Sequence, residues 1–136
     1  MHLPANSLDA GLFQLLTANA ELLSLQGARV FFALVPEAIQ LPATTYQPVG
    51  GSGRTTFDSS GPQKKRFQFD FRAKNGPDAI QLRDATRAAL DRFQGALPNG
   101  FVVLNILWCS SNNVDYDNDA RNFRICEDYY VNFNLP

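Results

Sequence analysis

The spacing of apolar residues in the first third of the chain predicts two helices followed by two strands. Leucines at positions 8, 12, 15 and 16 recur at helical spacing behind Ser7, a favourable N-cap. Asn19 is expected to cap a second, short helix, which Gly27 ends. The β-branched and aromatic run Arg29–Val35 predicts a strand, and Ala43–Val49 predicts a second extended segment.

The clearest alternation lies in the middle of the chain. Phenylalanines at positions 67, 69 and 71 alternate with polar side chains, which predicts a strand with one buried face. Apolar residues between Leu82 and Phe93 then recur at helical spacing, and Gly95 is expected to close that helix. The three phenylalanines need cover, which a helix of the same domain supplies most economically.

The last third predicts two more strands around a polar turn. Residues 101–108 are almost continuously apolar, which is typical of a central strand covered on both faces. Ser110–Asn122 is a polar, acidic turn region, and Phe123–Phe133 alternates as a long final strand. The class is therefore α+β: an antiparallel or mixed β-sheet of about five to six strands, packed by two main α-helices. Residues 1–136 are expected to form one domain.

A long polar insert, Gly50–Gln63, separates the second and third predicted strands and is rich in Gly and Ser. Connections of more than ~12 residues without structure of their own are uncommon in compact domains, and they are usually functional or disordered. The insert is therefore either a flexible hairpin tip or an arm that orders on a partner.

Composition excludes several classes of function. The formal charge of −1 argues against a dedicated nucleic-acid-binding domain. His2 is the single histidine, which leaves no basis for a Ser-His-Asp system or a multi-histidine metal site. Cys109 and Cys126 are too few for a disulfide framework and are expected to be half-buried reduced thiols. Neither a signal peptide nor a membrane span is predicted, so we expect a soluble, intracellularly made domain.

Two motifs resemble ligand-binding loops but lack residues that those loops require. Asp115, Asp117 and Asp119 open like a calcium loop, but Ala120 stands where the loop needs Gly, and Cys126 stands where it needs Glu. A solvated acidic turn is the simpler interpretation. The Gly-rich start of the insert lacks the Lys-Ser/Thr ending and the following helix of a phosphate loop.

A third motif, the basic run at residues 64–66, is expected to be solvated rather than a nucleic-acid patch, because the net charge is near zero. No catalytic, cofactor-binding or metal-binding residue is predicted, and the chain is not expected to be an enzyme.

Several segments resemble, in order, the tail-completion (head–tail joining) proteins of long-tailed bacteriophages. The central signature is the stretch RFQFDFRAKNGPDAIQLRDATRAALDRFQGAL at residues 66–97. Leu41-Pro42 leading into Thr44-Thr45-Tyr46-Gln47 is similar to the family's second strand, and Arg124 with Asp128-Tyr129 is similar to its last strand. The N-terminal helix followed by ELLSLQGARVFFALVP also fits. The terminal Asn-rich strand and the DYDNDA turn depart from the family.

The resemblance implies a structural virion protein, related to tail terminators, that is made in the host cytoplasm. It implies a ring, commonly six-fold, that caps the tail tube and joins it to the head connector. The implied partners are further copies of the chain, the tail tube protein and a head-completion or connector protein, with no membrane and no cofactor. The alternatives are a head-completion or stopper protein of the same neck and, less favoured, a small-molecule-binding α+β domain.

Two groups of residues follow as hypotheses about assembly. A ring needs heterologous contacts, which the insert could make as an arm by adding a strand to a neighbour. The candidate interface residues are Gly50, Gly51, Arg54, Thr55, Phe57, Lys64 and Lys65. The candidate lumen residues are Asp115, Asp117 and Asp119, whose carboxylates would repel the phosphates of genomic DNA passing through without specific binding.

Overall fold

The computed structural model describes residues 3–34, 39–49 and 62–136, and His2 and most of the insert lie outside these ranges. The helices in the described ranges are α1 (Leu8–Ala18), α2 (Ala20–Gln26) and α3 (Gly76–Leu90). The strands are β1 (Val30–Phe32), β2 (Ala43–Pro48), β3 (Gln63–Ala73), β4 (Gly95–Ala96), β5 (Val102–Ser111), β6 (Asp115–Asp117) and β7 (Asn122–Asn134).

The strands form one mixed sheet in the order β1-β2-β3-β7-β5-β4, and β6 pairs with the first residues of β7. The pair β1–β2 is parallel, and the other pairs are antiparallel. The longest ladder joins β3 to β7, from Gln63 opposite Phe133 to Ala73 opposite Phe123. The predicted α+β class with a mixed sheet is confirmed.

Each helix begins at a side chain that accepts a hydrogen bond from the first turn. Oγ of Ser7 accepts from the N–H of Ala10, and Oδ1 of Asn75 accepts from the N–H of Asp78 at 2.9 Å. Asn19 does the same for α2, as the sequence predicts. The expected closure of α3 at Gly95 is wrong.

Helix α3 instead ends at Leu90, and the chain turns through Arg92, whose φ is 66°. Gly95 belongs to β4. The first strand is likewise shorter than predicted, because Ala33 takes a φ of 67° directly after β1.

The alternation along β3 divides the sheet into two surfaces. Phe67, Phe69 and Phe71 are fully buried on the side that the helices cover, which we call the covered face. The ring of Phe69 lies 5.5 Å from those of Tyr46 and Tyr129, so the core is an aromatic layer. The opposite side, which we call the open face, carries the polar residues of β3 and β7.

The prediction of a central strand over residues 101–108 is wrong. Strand β5 lies next to the short β4, and only one of its faces is covered. Val103 and Ile106 are buried, whereas Val102, Leu104 and Leu107 are 42%, 37% and 46% exposed. The apolar faces of the helices pack on the covered face, and within the described ranges no helix packs on the other side of β5. An apolar run was therefore not a sign of two-sided burial.

Candidate interaction surface

The structure separates the two lysines of the predicted assembly interface. Lys64 lies on the open face, with its Nζ 4.1 Å from the centre of the Tyr130 ring. Lys65 lies on the covered face, where its Nζ is 3.9 Å from a carboxylate oxygen of Asp9 on α1. Lys65 therefore ties β3 to α1, and Lys64 alone contributes to the open surface. The remaining interface candidates, Gly50, Gly51, Arg54, Thr55 and Phe57, lie outside the described residues.

Two of the three aspartates in the acidic turn form ion pairs with arginines. Asp115 pairs with Arg124 at 3.3 Å, and Asp117 pairs with Arg72 at 3.0 Å. Asp117 also accepts hydrogen bonds from the backbone N–H groups of Asp119 and Ala120. The hydrogen bond from Arg72 and that from the Ala120 amide lower the pKa of Asp117. Of the three lumen candidates, only Asp119 is left as an exposed carboxylate without an ion pair among the described residues.

Arg72 is a key residue of this turn that the sequence analysis did not single out. Its side chain is only 6% exposed, and it donates to Asp117 and Asn122 while pairing with Asp70. A guanidinium this deeply buried requires paired acceptors. The available signal was an arginine in the polar phase of a strand, in a chain whose run of three aspartates begins 43 residues later. The register that places it opposite Arg124 was not readable from the sequence.

The open face is polar at its centre and becomes apolar along β5. At its centre Arg66 forms an ion pair with Asp128, and Asn132 donates to Asn105 at 2.6 Å. Towards β5 the surface becomes apolar, with the exposed side chains of Val102, Leu104 and Leu107, which we call the β5 strip. These three exposed apolar side chains lie beside the hydrogen-bonded pair Asn105 and Asn132, which makes them a candidate contact surface.

The outer edge of β5 is already occupied. The N–H of Arg92 donates to the carbonyl of Ile106 at 2.6 Å, and the N–H of Trp108 donates to the carboxylate of Asp91 at 3.0 Å. Strand β4 pairs with the first two residues of β5. These contacts protect the edge against pairing with another strand.

A buried carboxylate holds α3 against the sheet. Glu127 on β7 is 1% exposed, and it accepts hydrogen bonds from Arg87, from Nε1 of Trp108 at 3.1 Å and from the hydroxyl of Tyr129 at 2.8 Å. Burial, followed by the charge of Glu127, raises the pKa of Tyr129. The guanidinium of Arg87 lies 4.6 Å from the centre of the Trp108 ring. Because both carboxylate oxygens are engaged, this group is an anchor rather than a base awaiting a substrate.

Other candidate sites are absent from the part of the chain that the structure describes. That part holds no group of three or more His, Cys, Asp or Glu residues suited to a metal ion. It also contains no helix with the length and apolar character needed to cross a membrane. Cys109 and Cys126 are free thiols, as predicted, although Cys109 is exposed rather than half-buried. Burial raises the pKa of Cys126 to about 12.

Comparison with known proteins gives a family and a fold. The model of the family described as "Tail completion protein gp17" matches residues 10–131. A chain from a solved structure described as "Virion of native gene transfer agent (GTA) particle" superposes with a TM-score of 0.70 at 18% identity, covering 98% of this chain and 99% of that chain. No curated protein matches. The family match supports the expectation of a structural tail protein of a phage-like particle, and the chain belongs to the tail completion protein gp17 family.

Proposed function

We propose that the chain is a neck protein that closes the tail tube as a ring of six copies and joins it to the head connector. The observation that carries this proposal is the family match over residues 10–131. Its partners are further copies of itself, the tail tube protein and the head-completion or connector protein. Genomic DNA passes through the ring without specific binding, which suits a chain of net charge −1.

The side-chain chemistry supports assembly over catalysis. The most buried carboxylate of the described residues, Glu127, has both oxygens engaged by hydrogen bonds. The ion pairs of the open face link strands to one another, as in Arg66 with Asp128. Chemistry would need a nucleophile or base held beside a substrate cleft, with a free proton acceptor.

Joining of separated heads and tails tests the proposal. Particles made without this gene should accumulate as filled heads and free tails, and the purified chain should join them in vitro. The chain should sediment first with tails. Sedimentation with heads alone would instead favour the alternative role of a head-completion or stopper protein, and failure to bind either would contradict both roles.

The insert is the second part of the proposal, as an arm that contacts a neighbour. A chain lacking residues 51–61 should fold with an unchanged circular dichroism spectrum and fail to join heads to tails. Retained joining by this variant would exclude the arm from the neck function. Lys64, at the described base of the insert, supports a contact on the open side of the sheet.

We also propose that the acidic turn faces the lumen. Because Asp115 and Asp117 are paired with arginines, the wall would be close to neutral, with Asp119 supplying the repulsive charge. Replacing Asp119 by Lys should slow DNA ejection from otherwise intact particles. An unchanged ejection rate, or a turn on the outside of the ring in particle images, would contradict this placement.

A further inference from the structure

An apolar groove lies beside β1, where the N-terminal segment and α1 approach that strand. Its volume is about 510 Å³, and its walls include Leu3, Phe13, Val30, Phe31 and Phe32. The described side chains that line it carry no charge. Filling such a groove with apolar groups removes hydrocarbon surface from water without burying an unpaired charge.

The β5 strip is also apolar, so it is chemically suited to contact the groove. Val102 and Leu107 pair with Asn134 and Tyr130 of the open face, and Leu104 lies between them at an irregularity in the β5–β7 register. All three are exposed, whereas Val103 and Ile106 are buried. The residues paired with or beside them across β7 are also uncharged: Asn134, Asn132 and Tyr130. Interface centres are depleted of charged residues in this way.

Main-chain pairing is a poor way to join copies at these two ends of the sheet. The edge of β5 is occupied by Arg92 and Asp91, and β1 offers only three residues. A contact between copies at these places must therefore use side chains. The strand addition expected of the insert is a separate contact and stays a prediction.

We infer that the β5 strip of one copy docks in the β1 groove of the next, an inference that rests on the proposed ring. The two surfaces share no residue and lie near opposite ends of the strand order, so each copy offers both. A patch that fits a groove elsewhere on the same chain produces a heterologous contact, which closes into a ring when the rotation allows. The occupant is a second copy because the chain itself carries both halves.

Two single variants and their mixture test this contact. Leu107→Lys places a positive charge on the strip, and Leu3→Lys places a like charge in the groove. Each variant should weaken self-association by roughly 30-fold, the effect of losing a hot-spot contact. Each keeps one intact surface, so an equimolar mixture should form 1:1 dimers that grow no further. Ile80→Lys, at a residue on α3 that is 38% exposed, is the matched control and should assemble like wild type.

The readout is native mass, alone and with isolated tail tubes, beside thermal unfolding of each variant. Val102→Lys repeats the test at the other end of the strip if Leu107→Lys fails to fold. Variants that assemble normally, or a mixture that stays monomeric while wild type forms rings, would overturn the inference and leave the ring intact. A wild-type chain that never associates, even on tail tubes, would contradict the proposed function itself.

Discussion

Residues that are neighbours in the chain lie on opposite faces of the sheet and differ in how deeply they are buried. Phe69 is fully buried among aromatic rings, whereas Gln68 beside it lies on the open face. Glu127 is sealed under Arg87 and α3, whereas Asp128 pairs with Arg66 at a surface that remains partly wet. The covered face holds the aromatic core, whereas the open face carries partly exposed polar side chains and the β5 strip. Substitutions on the two faces should therefore differ in their cost to stability.

The largest difference between the faces is expected at Phe69 and Gln68. Phe69→Ala should lower the free energy of unfolding by about 3–5 kcal/mol, because it leaves a cavity beside Tyr46 and Tyr129. Gln68→Ala, one residue away, should change it by less than about 0.5 kcal/mol. Denaturant unfolding of both variants measures this. Equal losses would contradict the division into two faces.

Adjacent carboxylates on β7 sharpen the same contrast. Glu127→Ala should cost about 3 kcal/mol, because it leaves the hydroxyl of Tyr129 and the indole of Trp108 without their acceptor. Asp128→Ala is the matched control and should cost about 1 kcal/mol or less, since Arg66 can turn to solvent. Thermal and denaturant unfolding would measure both. A greater loss of unfolding free energy in Asp128→Ala than in Glu127→Ala would show that the open face contributes more to stability than this division allows.

Two helical glycines test how closely α1 is held on the covered face. A Cβ on Gly11 would lie 2.6 Å from Oδ1 of Asn99 and 2.8 Å from Cδ1 of Leu97. Gly11→Ala should therefore cost about 1–2 kcal/mol, as overpacking outweighs the gain in helix propensity. At Gly76 the nearest atom, of Val114, is 3.7 Å away, so Gly76→Ala should cost less than Gly11→Ala, and its remaining cost comes from Pro77, which disfavours a helical conformation in a preceding residue that carries a Cβ. Equal unfolding midpoints for the two variants would contradict the close approach.

The smallest effect concerns the acidic turn and depends on pH. The hydrogen bond that Asp117 accepts from Arg72 lowers the pKa of Asp117 below the value of 3.8 expected for the unfolded chain. Its contribution to stability is therefore present above about pH 4 and is lost as the pH falls through the folded-state pKa. Wild type should exceed Asp117→Asn in unfolding free energy at pH 7, and the two should converge at low pH. Asp119→Asn, on an exposed residue, should follow wild type throughout.

Periodicity was enough to predict most of the covered face. The alternation of phenylalanines in β3 indicated which side is buried, and Ser7 and Asn19 mark helix starts because each side chain completes a local hydrogen bond. These are local properties, set within a few residues. The α+β class and the mixed sheet follow from the order of such elements.

The features that could not be predicted from the sequence depend on contacts between residues that are far apart in the chain. The apolar run in β5 indicated burial, but whether one or both faces are covered depends on where three helices pack. The positions of Arg72 beside Asp117, and of Arg87 beside Glu127, depend on strand register and on contacts 40 or more residues apart. Single-sequence patterns carry no such information, so both networks were missed.

The most direct test of a ring-forming neck protein is the native mass of the wild-type chain over a concentration series, alone and with isolated tail tubes. The account predicts a discrete six-fold species of the 15.1 kDa chain that stops growing once formed. A chain that stays monomeric under both conditions, or grows into open filaments of no fixed size, would contradict it.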